Sequence, residues 1–303
     1  MKRLRFAAML GLSGLLVWLL AESAAVRAAA FDALRLCARS VVPALFPFLV
    51  VSSLLIALGF GEWAGKHLGW LMGLFRLPGA AGTALVLGLV GGYPIGARTA
   101  AELYGAGLLR REEAERLLAF ANNSNPVFLL TVLGQGGFHS ARAGLALWGI
   151  HVLSALAVGL YGSMGTEADP VRRRAASHAA VRTVRFTSAL VEAVRGGAAA
   201  QVSICGFVVF FYVLSSPLAQ CAAPWAAAAV GALELFSVTP LLTPDLTGFV
   251  LAAACAGWGG VSVLCQTASS LEGSGLSLLP CVKGKAAQAV LSAAAAAIVW
   301  HWL

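Results

Sequence analysis

Charge is the scarcest commodity in this chain. Only 11% of its 303 residues are Asp, Glu, Lys or Arg, against about 25% in an ordinary soluble domain. Hydrophobic residues make up 59%, and the mean hydropathy is +0.85. A soluble globular fold is excluded, and a polytopic all-α membrane protein is expected. Catalytic constellations are missing as well. The chain has no GxSxG, no HExxH, no Walker A lysine and no carboxylate cluster that would hold a catalytic metal. Neither an enzyme nor ATP-driven transport by this chain alone is expected. The six cysteines, Cys37, Cys205, Cys221, Cys255, Cys265 and Cys281, include no CxxC and no Cys/His ligand spacing. Most sit among Ala, Leu and Val, where a free thiol packs as a small hydrophobe. No structural disulfide, metal or other cofactor is expected. The net charge of +8 does not point to nucleic acid, because the Lys and Arg residues fall mostly between apolar spans, where topology signals belong.

What is present is a series of apolar segments, several of them interrupted. A crossing helix needs about 20 apolar residues. The first segment covers residues 5–20, behind Lys2, Arg3 and Arg5. It has the outline of a signal peptide, with Ala28-Ala29-Ala30 as a cleavage site, but later spans are equally apolar and an uncleaved anchor helix is the simpler account. Residues 22–40 carry Arg27, Asp32, Arg35 and Arg39 among Ala and Leu and read as an interfacial amphipathic helix. Residues 41–60 form a second span, kinked or begun by Pro43 and Pro47. Residues 80–107 read as a re-entrant hairpin of two short helices meeting at Tyr93-Pro94-Ile95-Gly96. Residues 117–133 are a span broken at Asn122-Asn123-Ser124-Asn125-Pro126, and 144–164 are unbroken.

Residues 165–185 turn polar, with Arg172-Arg173-Arg174, Arg182 and Arg185, and read as a basic linker. The order then repeats in 186–303: a span (202–218), an interrupted segment around Glu234 to Pro240 (224–244), a span broken at Gly257-Trp258-Gly259-Gly260 (248–269), and a closing Ala-rich span (285–303). The domain reading is therefore an anchor region (1–40), a first repeat (41–164), the linker and a second repeat (186–303). The positive-inside rule places the N-terminus, Lys66, Arg76, Arg110, Arg111, the linker, Lys283 and Lys285 on the cytoplasmic side. This gives about seven crossings and hairpins entering from opposite faces. Arg27, Arg35 and Arg39 fit this assignment badly, since they fall outside. Such an inverted repeat is found in many secondary transporters, whose sites lie where helices break.

The candidate substrate-binding residues follow from those breaks. Lipid leaves no water to satisfy a freed backbone group, so an interruption at membrane depth must face protein or a wet cavity. Tyr93, Pro94 and Gly96 form the first hairpin tip. Arg98 and Glu102 sit within that hairpin at i, i+4 spacing and can pair with each other. An intramembrane charge costs about 2.5–3.5 kcal/mol on insertion scales, and Glu234 has no sequence-local cation, which favours a role in a site. Asn122, Asn123, Ser124 and Asn125 exceed what helix packing needs and supply carboxamide donors and acceptors. Ser237 and Thr239 in the second hairpin, and Gly259, Ser262 and Gln266 in the second broken span, complete the set, with Thr267 beside them. His151 could relay protons, although a structural hydrogen-bonded role fits it better.

Val42-Pro43-Ala44-Leu45-Phe46-Pro47-Phe48, Gly91-Gly92-Tyr93-Pro94-Ile95-Gly96-Ala97, Asn122-Asn123-Ser124-Asn125-Pro126-Val127-Phe128, Gly206-Phe207-Val208-Val209-Phe210-Phe211 and the stretch from Gly257 to Gln266 together resemble the YlbJ family of sporulation integral membrane proteins. The resemblance covers about residues 40–295. It implies a nucleoside-recognition, or Gate, domain and kinship with concentrative nucleoside transporters and the Gate domains of the ferrous-iron transporter FeoB. It implies transport of a small polar anion, dipicolinic acid during sporulation, at the cell membrane or outer forespore membrane. A nucleoside carrier and a non-transporting structural protein are the alternatives. The expected partners are a small anionic or nucleoside-like solute and the lipid bilayer, not nucleic acid. A homo-oligomer and a coupling ion, H+ or Na+, are left open. The second hairpin departs from the family pattern, reading Glu234-Leu235-Phe236-Ser237-Val238-Thr239.

Overall fold

The computed structural model describes residues 2–165 and 185–303, so most of the basic linker lies outside the described residues. All regular elements among the described residues are helical. Helix α1 (Lys2–Ala21) turns through 92° into α2 (Ser23–Leu36). A π-helical turn (Cys37–Val41) then carries the chain without a gap into α3 (Val42–Ala57). Pro43 falls at the start of α3, directly after the π-helical turn, and Pro47 lies inside the helix. Two short helices, α4 (Phe60–His67) and α5 (Gly69–Leu74), lead to the first hairpin, α6 (Ala81–Gly91) and α7 (Ile95–Gly105). Helix α8 (Arg111–Ala121) ends where residues 122–125 leave the helix, and a π-helical segment (Phe128–Gly137) resumes it. Helix α9 (Ala141–Ser163) closes the first half.

The second half opens on the longest helix, α10 (Phe186–Ala219), which starts well before the expected 202–218 span. Next come α11 (Ala226–Leu233) and α12 (Leu235–Val238) with a 3-10 turn (Thr239–Leu241), then α13 (Leu246–Trp258), α14 (Gly260–Ser270) and α15 (Leu279–Val299). Four stretches among the described residues are long and apolar enough to cross a membrane: 141–163, 186–219, 246–270 and 279–302. A fifth is added if α1 and the helix after its bend count as one span. The expected span at 41–60 is represented by a shorter apolar helix, as is the second arm of the span expected at 117–133.

The breaks are made by local chemistry. Gly259 and Gly260 take φ values of +85° and +91°, in the left-handed region that a Cβ disfavours. One residue therefore ends α13, and α14 begins at once. Glu234 leaves the helix with extended φ and ψ, and its carboxylate then caps α12 by accepting from the Ser237 N–H at 2.6 Å. In α15, a Cβ at Gly284 would run into the Ala119 carbonyl oxygen of α8. The missing side chain lets the two backbones close together, as small residues do in membrane helix packing. Helix α15 lies along α13, α8 and α9, so its polar residues reach the first break.

Candidate functional site

The hairpin tip and the two helix breaks meet. The Tyr93 hydroxyl, on the tip between α6 and α7, donates to the Ala256 carbonyl near the end of α13 at 2.6 Å. A Cβ at Gly259 would lie 3.2 Å from the Tyr93 ring. The Asn122 side chain donates to Thr267 Oγ1 of α14 at 2.8 Å. A small cavity of about 30 Å³ lies at this meeting point, lined by Tyr93, Ser124, Asn125, Leu235, Val263 and Gln266, among others. It is large enough for a water and no larger solute, since one water needs roughly 10–15 Å³ of such space.

Two larger spaces flank it. One, of about 300 Å³, is lined by Pro94, Arg98, Ser203, Gln266, Ser269 and Ser270. The other, of about 490 Å³, is lined by Arg39, Ser40, Asn125, Phe128, Thr131 and Phe236. Each shares lining residues with the small cavity, Ile204 and Gln266 on one side and Leu45, Asn125, Phe128 and Phe236 on the other, and they share none with each other. Each holds one arginine. Arg98 pairs with Glu102 Oε1 at 2.9 Å and donates to the Gly196 carbonyl at 3.2 Å. The Arg39 that fitted the charge topology badly lines the other space.

The candidate residues at the two breaks and the second hairpin do not share a single cavity. Ser124, Asn125 and Gln266 share it with Tyr93. Asn125 Oδ1 also accepts from the Phe128 N–H at 2.7 Å, restarting the helix, and Gln266 donates to Ser262 Oγ at 3.2 Å. Glu234 and Ser237 instead close on one another, the Ser237 hydroxyl donating to the carboxylate at 2.8 Å, so both side chains are consumed by the cap. Thr239 Oγ1 is buried without a partner, away from the cavity lining. Pro94 and Arg98 line the adjacent space, while Gly96 packs against the end of α8 at Ala121.

Asn122 and Asn123 are fully buried and turn into a separate polar network. Its other members are His151 of α9 and Lys285 and Gln288 of α15, all buried. Asn123 donates to the Phe120 carbonyl and accepts from Gln288 Nε2 at 3.2 Å. The Ser124 N–H donates to His151 Nε2 at 3.0 Å, which leaves that ring nitrogen unprotonated. Lys285 donates to the Asn122 carbonyl at 3.0 Å and to Gln288 Oε1 at 2.6 Å. The reading of Lys285 as a cytoplasmic topology charge is therefore wrong. Helix α15 begins at Leu279, and Lys285 lies inside it with no exposed surface. The signal was available in the sequence: Lys285 and Gln288 stand i, i+3 in a helix otherwise dominated by Ala. Among the described residues, no three His, Cys, Asp or Glu side chains gather as metal ligands.

The sequence pattern of the Gate family, described as nucleoside recognition, matches residues 38–165. The sporulation integral membrane protein YlbJ of Bacillus subtilis (strain 168) is 30% identical over 304 aligned residues, which cover 86% of this chain and 74% of that protein. No solved structure matches the chain.

Proposed function

The chain belongs to the YlbJ family of integral membrane proteins, and from that premise we propose that it is a secondary transporter or facilitator for a small polar anion. The observation that carries this reading is the series of three spaces, two vestibules on either side of a small, largely apolar constriction that Tyr93, Ser124, Asn125 and Gln266 also line. A continuous pore would leak; a pinched series must open on one side at a time. Helices α7 and α14 begin at Ile95 and Gly260, within a few residues of Tyr93 and Val263 in the constriction. Their N-terminal ends carry partial positive charge, which suits an anionic group. Arg39 adds a cation to one vestibule, and the Arg98 guanidinium, paired with Glu102, lines the other. Within this class, the dipicolinate dianion is the narrower choice by family kinship, with the outer forespore membrane as its place of action.

A nucleoside is the second reading, favoured by the description of the matching Gate pattern. Purified protein in proteoliposomes decides between them. Saturable uptake of radiolabelled dipicolinate, not competed by uridine, is the expected result. Uptake competed by uridine would move the assignment to nucleosides. Transport of neither would leave a structural membrane protein.

A further inference from the structure

We propose that Lys285 is a built-in cation filling the position where a carrier of this architecture would bind a sodium ion, so that its anion transport does not require sodium. Only the transport consequence rests on the proposed function; the site itself stands on geometry. In carriers with broken helices, the unwound carbonyls and the C-terminal ends of half-helices are where coupling cations are coordinated. Here that place is the end of α8. Asn122 leaves the helix with extended backbone angles, and its carbonyl points at the Lys285 ammonium at 3.0 Å. Gln288 Oε1 supplies a second oxygen at 2.6 Å, and the Tyr93 ring faces the ammonium at 5.0 Å. The partially negative helix end and the ring face both attract positive charge.

The rest of the shell is arranged for a cation. Gln288 Nε2 donates to Asn123 Oδ1 and to the His151 carbonyl, which fixes the amide with its oxygen toward Lys285. Among the described residues, no acidic side chain takes part. The ion pairs among the described residues join Arg side chains to carboxylates elsewhere. An ammonium held by carbonyl oxygens and a π face, rather than by a carboxylate, uses the same neutral oxygen donors that serve alkali ions at broken helices. Because the cation is covalently attached, it cannot dissociate with each transport cycle.

The test uses thermal unfolding of the detergent-purified full chain, which does not depend on any substrate. Wild-type protein should melt at the same temperature in sodium chloride and in choline chloride. Lys285→Ala should melt lower in choline chloride, by roughly 5 °C or more given one or two lost buried charge-assisted bonds. It should regain much of that loss in methylammonium or sodium chloride. Lys285→Met fills the space and should respond to neither salt. A wild type stabilised by sodium would overturn the proposal, and that measurement remains decisive if the alanine variant does not fold. A folded Lys285→Ala that is indifferent to all three salts would overturn it too. If these melting results hold and the proteoliposomes move no anion, the cation site stands and the transport reading alone fails.

Discussion

The two broken helices solve the same problem by different chemistry. In the first, residues 122–125 leave the helix; His151 and Lys285 meet the freed Ser124 N–H and Asn122 carbonyl, while Thr267 and Gln288 bond the Asn122 and Asn123 side chains. In the second, two successive glycines with positive φ redirect the chain, and α14 restarts at the second of them. The first break is built from polarity and borrowed partners, the second from backbone freedom. The hairpins differ in a related way. The arms of the first are matched, at 11 residues each, whereas the second pairs an eight-residue arm with a four-residue one. The two breaks thus differ in chemistry: the first presents side chains, and the second provides shape, while α15 supplies the lysine that completes the first.

Substitutions should separate these two designs. The largest effect is expected at Gly259. Gly259→Val places a β-branched side chain at φ +85° and against the Tyr93 ring. No monodisperse protein should emerge from size-exclusion chromatography; a normal yield would refute the backbone account of the second break. At the first break, Asn123→Ala removes the acceptor of Gln288 Nε2 and the donor to the Phe120 carbonyl. Folded protein should still be obtained, but with a lower melting temperature and about tenfold less uptake, consistent with the cost of unpaired buried groups. Wild-type stability in that variant would mean the network is idle.

Gln266 lies between the designs, lining both the constriction and the Arg98 vestibule. Its amide is tied only to Ser262 and its carbonyl to Ser270. The second of these is a backbone contact, so Gln266→Ala should lower uptake severalfold with little change in melting. Equal losses of both would make it a packing residue. The smallest effect lies outside both breaks. Glu115 accepts from Arg111 Nε and from the Ser277 N–H, each at 2.9 Å, fastening the loop before α15 to α8. The Arg111 guanidinium, then the Ser277 amide, hold its carboxyl below the usual range. Because the folded value is depressed, its stabilisation is complete above the ordinary Glu value near about 4.3 and is lost as pH falls through the folded value. Melting curves of wild type and Glu115→Gln should differ slightly at neutral pH and converge in acid. Curves that diverge in acid would contradict the sign.

Much of the architecture was legible because interruptions in apolar runs are written in residue types. Tyr93-Pro94, the Asn cluster and Gly259-Gly260 mark the hairpin tip and both breaks where the structure has them. Orientation was not legible. Neighbours in an unwound segment point in different directions, so Asn123 and Asn125, two residues apart, serve a buried network and a cavity wall. Glu234 reads as an unpaired intramembrane acid only until the backbone shows the Ser237 amide within its reach. Lys285 was misplaced because α15 begins six residues earlier than the apolar run suggests, which turns a helix-end charge into an interior one.

Tyr93 ties three parts of the site to one side chain: its hydroxyl donates to the Ala256 carbonyl, its ring faces Lys285, and it lines the small cavity. A hairpin movement that widened the passage would have to release these contacts together, since they belong to one rigid ring. Opening by degrees is then unavailable, because packed contacts of this kind are bistable rather than continuously deformable. Under the proposed transport function, the passage would then act as a switch with a single barrier, and uptake should show one steeply temperature-dependent rate.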